Sequence, residues 1–207
     1  MVSFNASDLA EVYWRVVPLH TPRVLRHCAK CGRVRRFASS DRFRLNAQQV
    51  TVDVWLVYKC VECECTWNCA IIERCPVRNI DPGTYGLFER NDKELAWSCA
   101  FDYRLLSGAG VQVDMTFEVS VESSEVGLDD HVGGPRMIVI ESRYPGIIRL
   151  DRLLAQQLRI SRTFIQELVE GGRLHIYPGG KKALRKAAHT GQRILLSDWM
   201  LRENSQR

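Results

Sequence analysis

The sequence predicts an α+β fold: an antiparallel sheet in the N-terminal half, a helix and β-hairpin in the middle, and a small unit of two helices plus a hairpin at the C-terminal end. Two periodicities carry this expectation. Val50, Val52, Val54, Leu56 and Tyr58 fall on one face at period two, the pattern of a half-buried strand. Leu150, Leu153, Leu154 and Leu158 recur at helical spacing. The chain is 45% hydrophobic and 26% charged over 207 residues, enough apolar material for one medium domain or two small ones.

Taken in order, Val34 to Leu45 is the expected hairpin partner of the Val50 to Lys59 strand, with Asn46-Ala47-Gln48-Gln49 as the polar break. Cys65, Trp67, Cys69 and Ile71 alternate again and predict a third strand. Pro82-Gly83 punctuates the chain, and Thr84 to Tyr103 is expected to be mostly helical. Val111, Val113, Met115, Phe117, Val119 and Val121 form a second alternation, for which Met137 to Ile140 is the expected antiparallel partner; Glu122 to Pro135 between them is expected to be a mobile loop. Near the end, Ser161 can cap a helix whose apolar face is Phe164, Ile165, Leu168 and Val169, with Gly171-Gly172 closing it. Strands at Arg173 to Tyr177 and Gln192 to Leu196 follow, the first leading into a Pro178-Gly179-Gly180 turn. The expected segments are therefore 1–80, 81–146 and 147–207.

Charge is unevenly distributed. Arg23 to Arg44 carries +7, Asp81 to His131 carries −8, and Arg149 to Arg193 carries +7. Two basic blocks flanking an acidic one point to polyanion contact at the ends. The N-terminal residues lack the apolar run of a secretory signal, and no window is long and apolar enough to span a bilayer, so a cytoplasmic protein without membrane partners is expected. Eight cysteines in a reducing compartment favour metal binding over disulfides.

Two C-x-x-C pairs, Cys28/Cys31 and Cys60/Cys63, have 28 residues between them. A C-x-x-C turn presents two thiolates from one knuckle, and two knuckles make the four soft ligands of a tetrahedron. A hairpin between the pairs would return the second beside the first. The pattern resembles a zinc ribbon and predicts one structural zinc ion; whether Cys63 or Cys65 is the fourth ligand is open. Cys69, Cys75 and Cys99 are expected to be buried free thiols.

Arg149-Leu150-Asp151-Arg152-Leu153-Leu154, then Ser161-Arg162, then Glu170-Gly171-Gly172-Arg173-Leu174 resemble the RNA-binding domain named after small-subunit ribosomal protein S-four. The resemblance covers Arg149 to Leu196. It departs at Pro178-Gly179-Gly180, where that family usually has Asn-Gly, and at Gly191-Gln192, where it usually has Gly-Asp. It implies a helical pair that recognises RNA structure through the backbone, ribosomal RNA being one candidate. Arg149, Arg152, Ser161, Arg162, Gln166, Arg173, Lys181 and Lys182 are the candidate RNA-binding residues. Across its length the chain also resembles an uncharacterised bacterial family joining a cysteine-pair domain to such a module, through Trp14-Arg15-Val16-Val17-Pro18, Phe43-Arg44-Leu45-Asn46-Ala47, Asp53-Val54-Trp55-Leu56, Thr66-Trp67-Asn68 and Asn91-Asp92.

No phosphate-binding glycine loop or nucleophile elbow is present in the sequence. The reading is a non-catalytic RNA-binding protein. A zinc-ribbon DNA-binding factor dependent on Arg33, Arg35 and Arg36 is the first alternative. An RNA-processing enzyme using carboxylates between Asp102 and Glu118 is the second.

Overall fold

The computed structural model describes residues 10–48, 50–114, 116, 118–126 and 135–197. The fold is α+β. In chain order the strands are β1 (Ala10–Pro18), β2 (Arg23–Cys28), β3 (Arg33–Gln48), β4 (Thr51–Cys60), β5 (Thr66–Pro76), β6 (Gln112–Asp114), β7 (Val119–Val126), β8 (Arg136–Ser142), β9 (Leu174–Tyr177) and β10 (Arg193–Leu196). The helices are α1 (Pro82–Glu89), α2 (Lys93–Ala100), α3 (Tyr103–Gly108), α4 (Leu150–Leu158), α5 (Arg162–Glu170) and the short α6 (Gly180–Ala183).

Two compact units replace the three expected segments. One is continuous, residues 20–116; the other joins the residues up to Leu19 to those from 117 onward. The boundaries at 80 and 146 are thus corrected, and the physical reason is strand pairing. β1 alternates Val12, Trp14 and Val16 inward and is claimed by distant partners, β7 antiparallel and β8 parallel. Its sheet runs β7-β1-β8-β10-β9. The sequence reading assigns no strand there.

In the 20–116 unit the sheet order is β5-β4-β3-β2-β6, antiparallel throughout. β3 and β4 form the expected hairpin and β5 the expected third strand. Val52, Val54, Leu56 and Tyr58 are fully buried, each aliphatic contributing about 1.5–3 kcal/mol. The helical stretch after Pro82 is broken into three helices, because three aspartates each start a new one. Asp81 accepts the N–H of Thr84 at 2.9 Å, Asp92 that of Leu95 at 3.0 Å, and Asp102 those of Arg104 and Leu105 at 3.0 and 3.1 Å. Phe88, Ala96, Ala100 and Leu106 from these helices join Val24, Phe37, Phe43 and Leu56 in one core on one face of the sheet.

The expected middle hairpin does not form. β6 pairs with β2, whereas β7 pairs with β1, so the Val111 to Val121 alternation is divided between the two sheets. β8, its expected partner, lies on the other side of β1 and against β10. Residues 122–126, expected in a loop, complete β7; Met115, Phe117 and 127–134, with His131, lie outside the described residues.

The C-terminal elements follow the periodicity. Leu150, Leu153, Leu154 and Leu158 of α4 are buried, with Ile165 and Leu168 of α5; Phe164 and Val169 are half-buried. Ser161 caps α5 by accepting the N–H of Phe164 at 3.0 Å. β9 and β10 pair antiparallel, but not through a tight turn: α6 and the segment to Gln192 intervene. That intervening chain is used structurally. The N–H groups of Leu150 and Asp151, at the open start of α4, bond the carbonyls of Lys186 and Leu184 at 2.9 and 3.0 Å. None of the described helices is long and apolar enough to cross a membrane.

Candidate functional site

β2 and β4 run the same way on either side of β3, so the turns that follow them emerge at one end of the sheet. Cys28 and Cys60 are the last residues of these strands; Cys31 and Cys63 lie in the turns. The four sulfur atoms lie within 4.8 Å of one another, and Cys28 Sγ is 3.5 Å from Cys63 Sγ. Four thiolates around a tetrahedral ion at metal–sulfur distances of 2.3 Å would stand about 3.8 Å apart. The cluster therefore has the dimensions of a four-thiolate metal site, and among the described residues no fifth ligand group joins it. Cys63, not Cys65, completes it. Cys65 serves through its backbone: its carbonyl accepts the Cys60 N–H at 2.9 Å and its N–H donates to the Cys63 sulfur.

The two turns repeat one construction. Gly32 N–H bonds Cys28 O at 2.9 Å, and Glu64 N–H bonds Cys60 O at 2.9 Å. Each donor has left-handed backbone, φ +67° at Gly32 and +59° at Glu64. Glycine suits that conformation; glutamate tolerates it at a cost. A Cβ at Gly32 would meet nothing within 4 Å, so Gly32→Ala should cost only backbone strain, about 1 kcal/mol. Thermal unfolding of the metal-loaded protein should then shift down by about 4–8 °C. An unchanged or raised midpoint would show that the turn does not require this φ.

The thiols do not ionise alike. Desolvation raises Cys28, but the Cys31 N–H and the neighbouring thiols outweigh it and bring it down to about 6. Cys63 is pushed up to about 12: the Cys65 N–H favours its thiolate, but burial and the three other sulfurs oppose it more strongly. Cys31 is also raised, since burial and its sulfur neighbours overrule its bonds to Cys63 and to Arg35. One thiolate suppresses the next until a cation arrives. A divalent ion with four thiolates still carries −2, and Arg26, Arg33 and Arg35 sit on this face of the sheet. Arg35 reaches the Cys31 sulfur, and its Nε is buried without a protein partner. Arg26, paired opposite it, lies 4.5 Å from the Trp67 ring centre. Cys69 and Cys99 are raised to about 11 by burial, as expected for structural thiols.

A family model described as a protein of unknown function (DUF1062) matches residues 45–178, more than half of the chain. The chain belongs to that family. The match includes Cys60, Cys63, α4 and α5, but begins after Cys28 and Cys31 and ends before Lys181. No curated protein and no solved structure matches the chain.

The candidate RNA-binding residues divide by position. Arg149 and Arg162 converge on one carboxylate, that of Asp151, which is 1% exposed: Arg149 donates to it at 2.7 Å and Arg162 at 3.0 Å. Ser161 is engaged as a cap, Gln166 is half-buried, Arg173 is exposed, and Lys181 pairs with Glu170. Arg152 and Lys182 are exposed and make no ion pair with a described residue. Arg185 and Lys186, which the sequence reading did not single out, join them on the same terms. Their only sequence signal is the basic run itself.

Two carboxylates of the enzyme alternative have structural partners, while that of Glu118 is exposed. Asp102 caps α3. Burial raises the Asp114 carboxyl, but the hydroxyl and N–H of Thr116 and the Arg36 guanidinium, 2.7 Å away, outweigh it and hold it below its ordinary range.

Proposed function

We propose that this protein binds structured RNA through the α4–α5–α6 surface and that its four-cysteine cluster holds a structural zinc ion. The observation that carries the first part is the set of exposed cations Arg152 of α4, Lys182 of α6 and Arg185 and Lys186 in the turn after it, none of which makes an ion pair with a described residue. Their charge suits phosphate contacts, and the packed helices fix the spacing at which those contacts are offered. The sequence resemblance over Arg149 to Leu196 supports the same reading. Zinc is favoured because four thiolates at tetrahedral spacing are its usual closed site, and a filled tetrahedron offers no position for an activated water.

The test variant has to spare the partners of Asp151. Arg162→Glu would set a second carboxylate beside buried Asp151, so it would confuse folding with binding. Arg152→Glu with Lys182→Glu avoids that. Measured by anisotropy with a labelled stem–loop RNA over a salt series, the wild type should weaken steeply as salt rises. The double variant should lose most affinity and about 1.8 from the logarithmic salt slope. Equal binding by the variant, or no preference for the stem–loop over duplex DNA, would reject the RNA reading. Elemental analysis of protein purified without added metal should return one zinc per chain; iron would replace zinc in the second part.

A further inference from the structure

The buried core cluster of the 20–116 unit lies on one face of its sheet. Its opposite face carries Arg23 from β2, Arg36, Arg42 and Arg44 from β3, and Trp55 and Lys59 from β4. The irregularity between Ser39 and Arg42 adds two residues to β3, an even number, so Arg36 stays on the same face as Arg42 and Arg44. We infer that this face is a second nucleic-acid surface and that it takes a single strand. The inference does not rest on the α4–α5–α6 reading.

Charge is the first argument. Arg23, Arg42, Arg44 and Lys59 are exposed and none makes an ion pair with a described residue. Among the acids of the described face, Asp114 holds Arg36 at 2.7 Å and Asp53 accepts the Arg74 N–H at 2.7 Å, while Glu73 of β5 is exposed at its edge, away from Arg42 and Arg44. Arg42 and Arg44 stand two residues apart on one strand, about 6.8 Å, where like charges repel without a partner. A phosphate backbone supplies the missing charge.

Trp55 is the second argument. It is half-buried between cross-strand neighbours Arg44 and Ala70, and the Arg44 guanidinium lies 6.0 Å from its ring centre. A sheet-borne aromatic beside arginine is the arrangement on which an unstacked base lies, held by its ring face and by its phosphate. In a duplex both faces of each base are already covered, so a single strand is the polymer that can use Trp55.

Full-length, metal-loaded protein should bind a labelled twelve-nucleotide oligouridylate, read by anisotropy, with an oligothymidylate of the same length beside it. Trp55→Ala should weaken binding roughly 5- to 100-fold, and Trp55→Phe should retain most of it. Arg42→Glu with Arg44→Glu should abolish most binding and lower the logarithmic salt slope by about 1.4. The stem–loop affinity should survive these changes, and the Arg152→Glu, Lys182→Glu variant should still bind the oligomers, so either surface can fail alone. Tighter binding of one oligomer assigns the face to RNA or to DNA, and equal binding assigns it to both. No oligomer binding by the wild type, or variants that bind as the wild type does while keeping its metal content and melting point, would overturn the inference. So would a monomer–dimer shift in Trp55→Ala, because the face would then serve a second copy.

Discussion

Chelating the metal from the four-cysteine cluster should unfold the 20–116 unit while the other sheet stays folded. All four ligands belong to β2, β4 and the turns after them, and those strands flank β3. Without the ion, the described links at that end are backbone bonds such as Val61 N–H to Arg36 O at 3.0 Å and the packing of Arg26 and Tyr58 against Trp67. Structural zinc contributes about 10–16 kcal/mol of apparent folding energy in small zinc domains. A domain has about 5–15 kcal/mol of net stability, so losing the ion removes most or all of it. Hydrogen exchange is the measurement. Amide protection should vanish in β2 to β5 and persist in β1, β8 and β10; retained protection in β2 to β4 after verified metal removal would refute the structural role.

Acid should act in the same direction, because the ion binds thiolates. In the metal-free cluster at pH 7, Cys31 is raised and Cys63 stands at about 12, so both carry protons that metal loading must release. Affinity therefore rises with pH and falls on acidification. Titration calorimetry in buffers of different ionisation enthalpy reads that proton release directly. Loading without proton release would contradict a four-thiolate site.

The second large effect is expected at Asp151. Replacing Arg149 and Arg162 together by alanine leaves a buried carboxylate without either cation. Breaking such an arrangement from one side costs about 3–5 kcal/mol. Either single replacement should cost much less, since the remaining arginine still pairs. Adding Asp151→Asn to the double variant removes the uncompensated charge and should restore most of the loss. Hydrogen exchange across α4, α5 and β10 would report it. A double variant as stable as the wild type, or a triple variant no better than the double, would dismiss the ion triad as a fold determinant. The two motifs that suggest RNA contact, Arg149-Leu150-Asp151 and Ser161-Arg162, thus have a task in folding that their spacing alone does not disclose.

Several features were legible because they are local. A C-x-x-C turn places two sulfurs whatever the rest of the chain does, so Cys28, Cys31, Cys60 and Cys63 could be named from spacing. Cys63 against Cys65 could not be decided, because one residue's difference depends on how the turn closes. The α4 and α5 stripes, the Ser161 cap and the β3–β4 hairpin rest on contacts a few residues apart or across one turn. The basic stretch from Arg23 to Arg44 was visible, but its members were sorted by the pleat: Arg35 turns toward the cysteines, Arg36 goes to Asp114, and Arg42 and Arg44 remain exposed.

What the sequence alone determined, then, is the β3–β4 hairpin and β5, the α4 and α5 stripes, the cysteine pairs and the sign of the charge in each block. Tertiary structure alone decided which strands are partners. An alternating strand specifies which side chains face inward but carries no record of the strand beside it. That is why β1 could join β7 and β8 more than a hundred residues away, and why one alternation from Val111 to Val121 could be shared between two sheets.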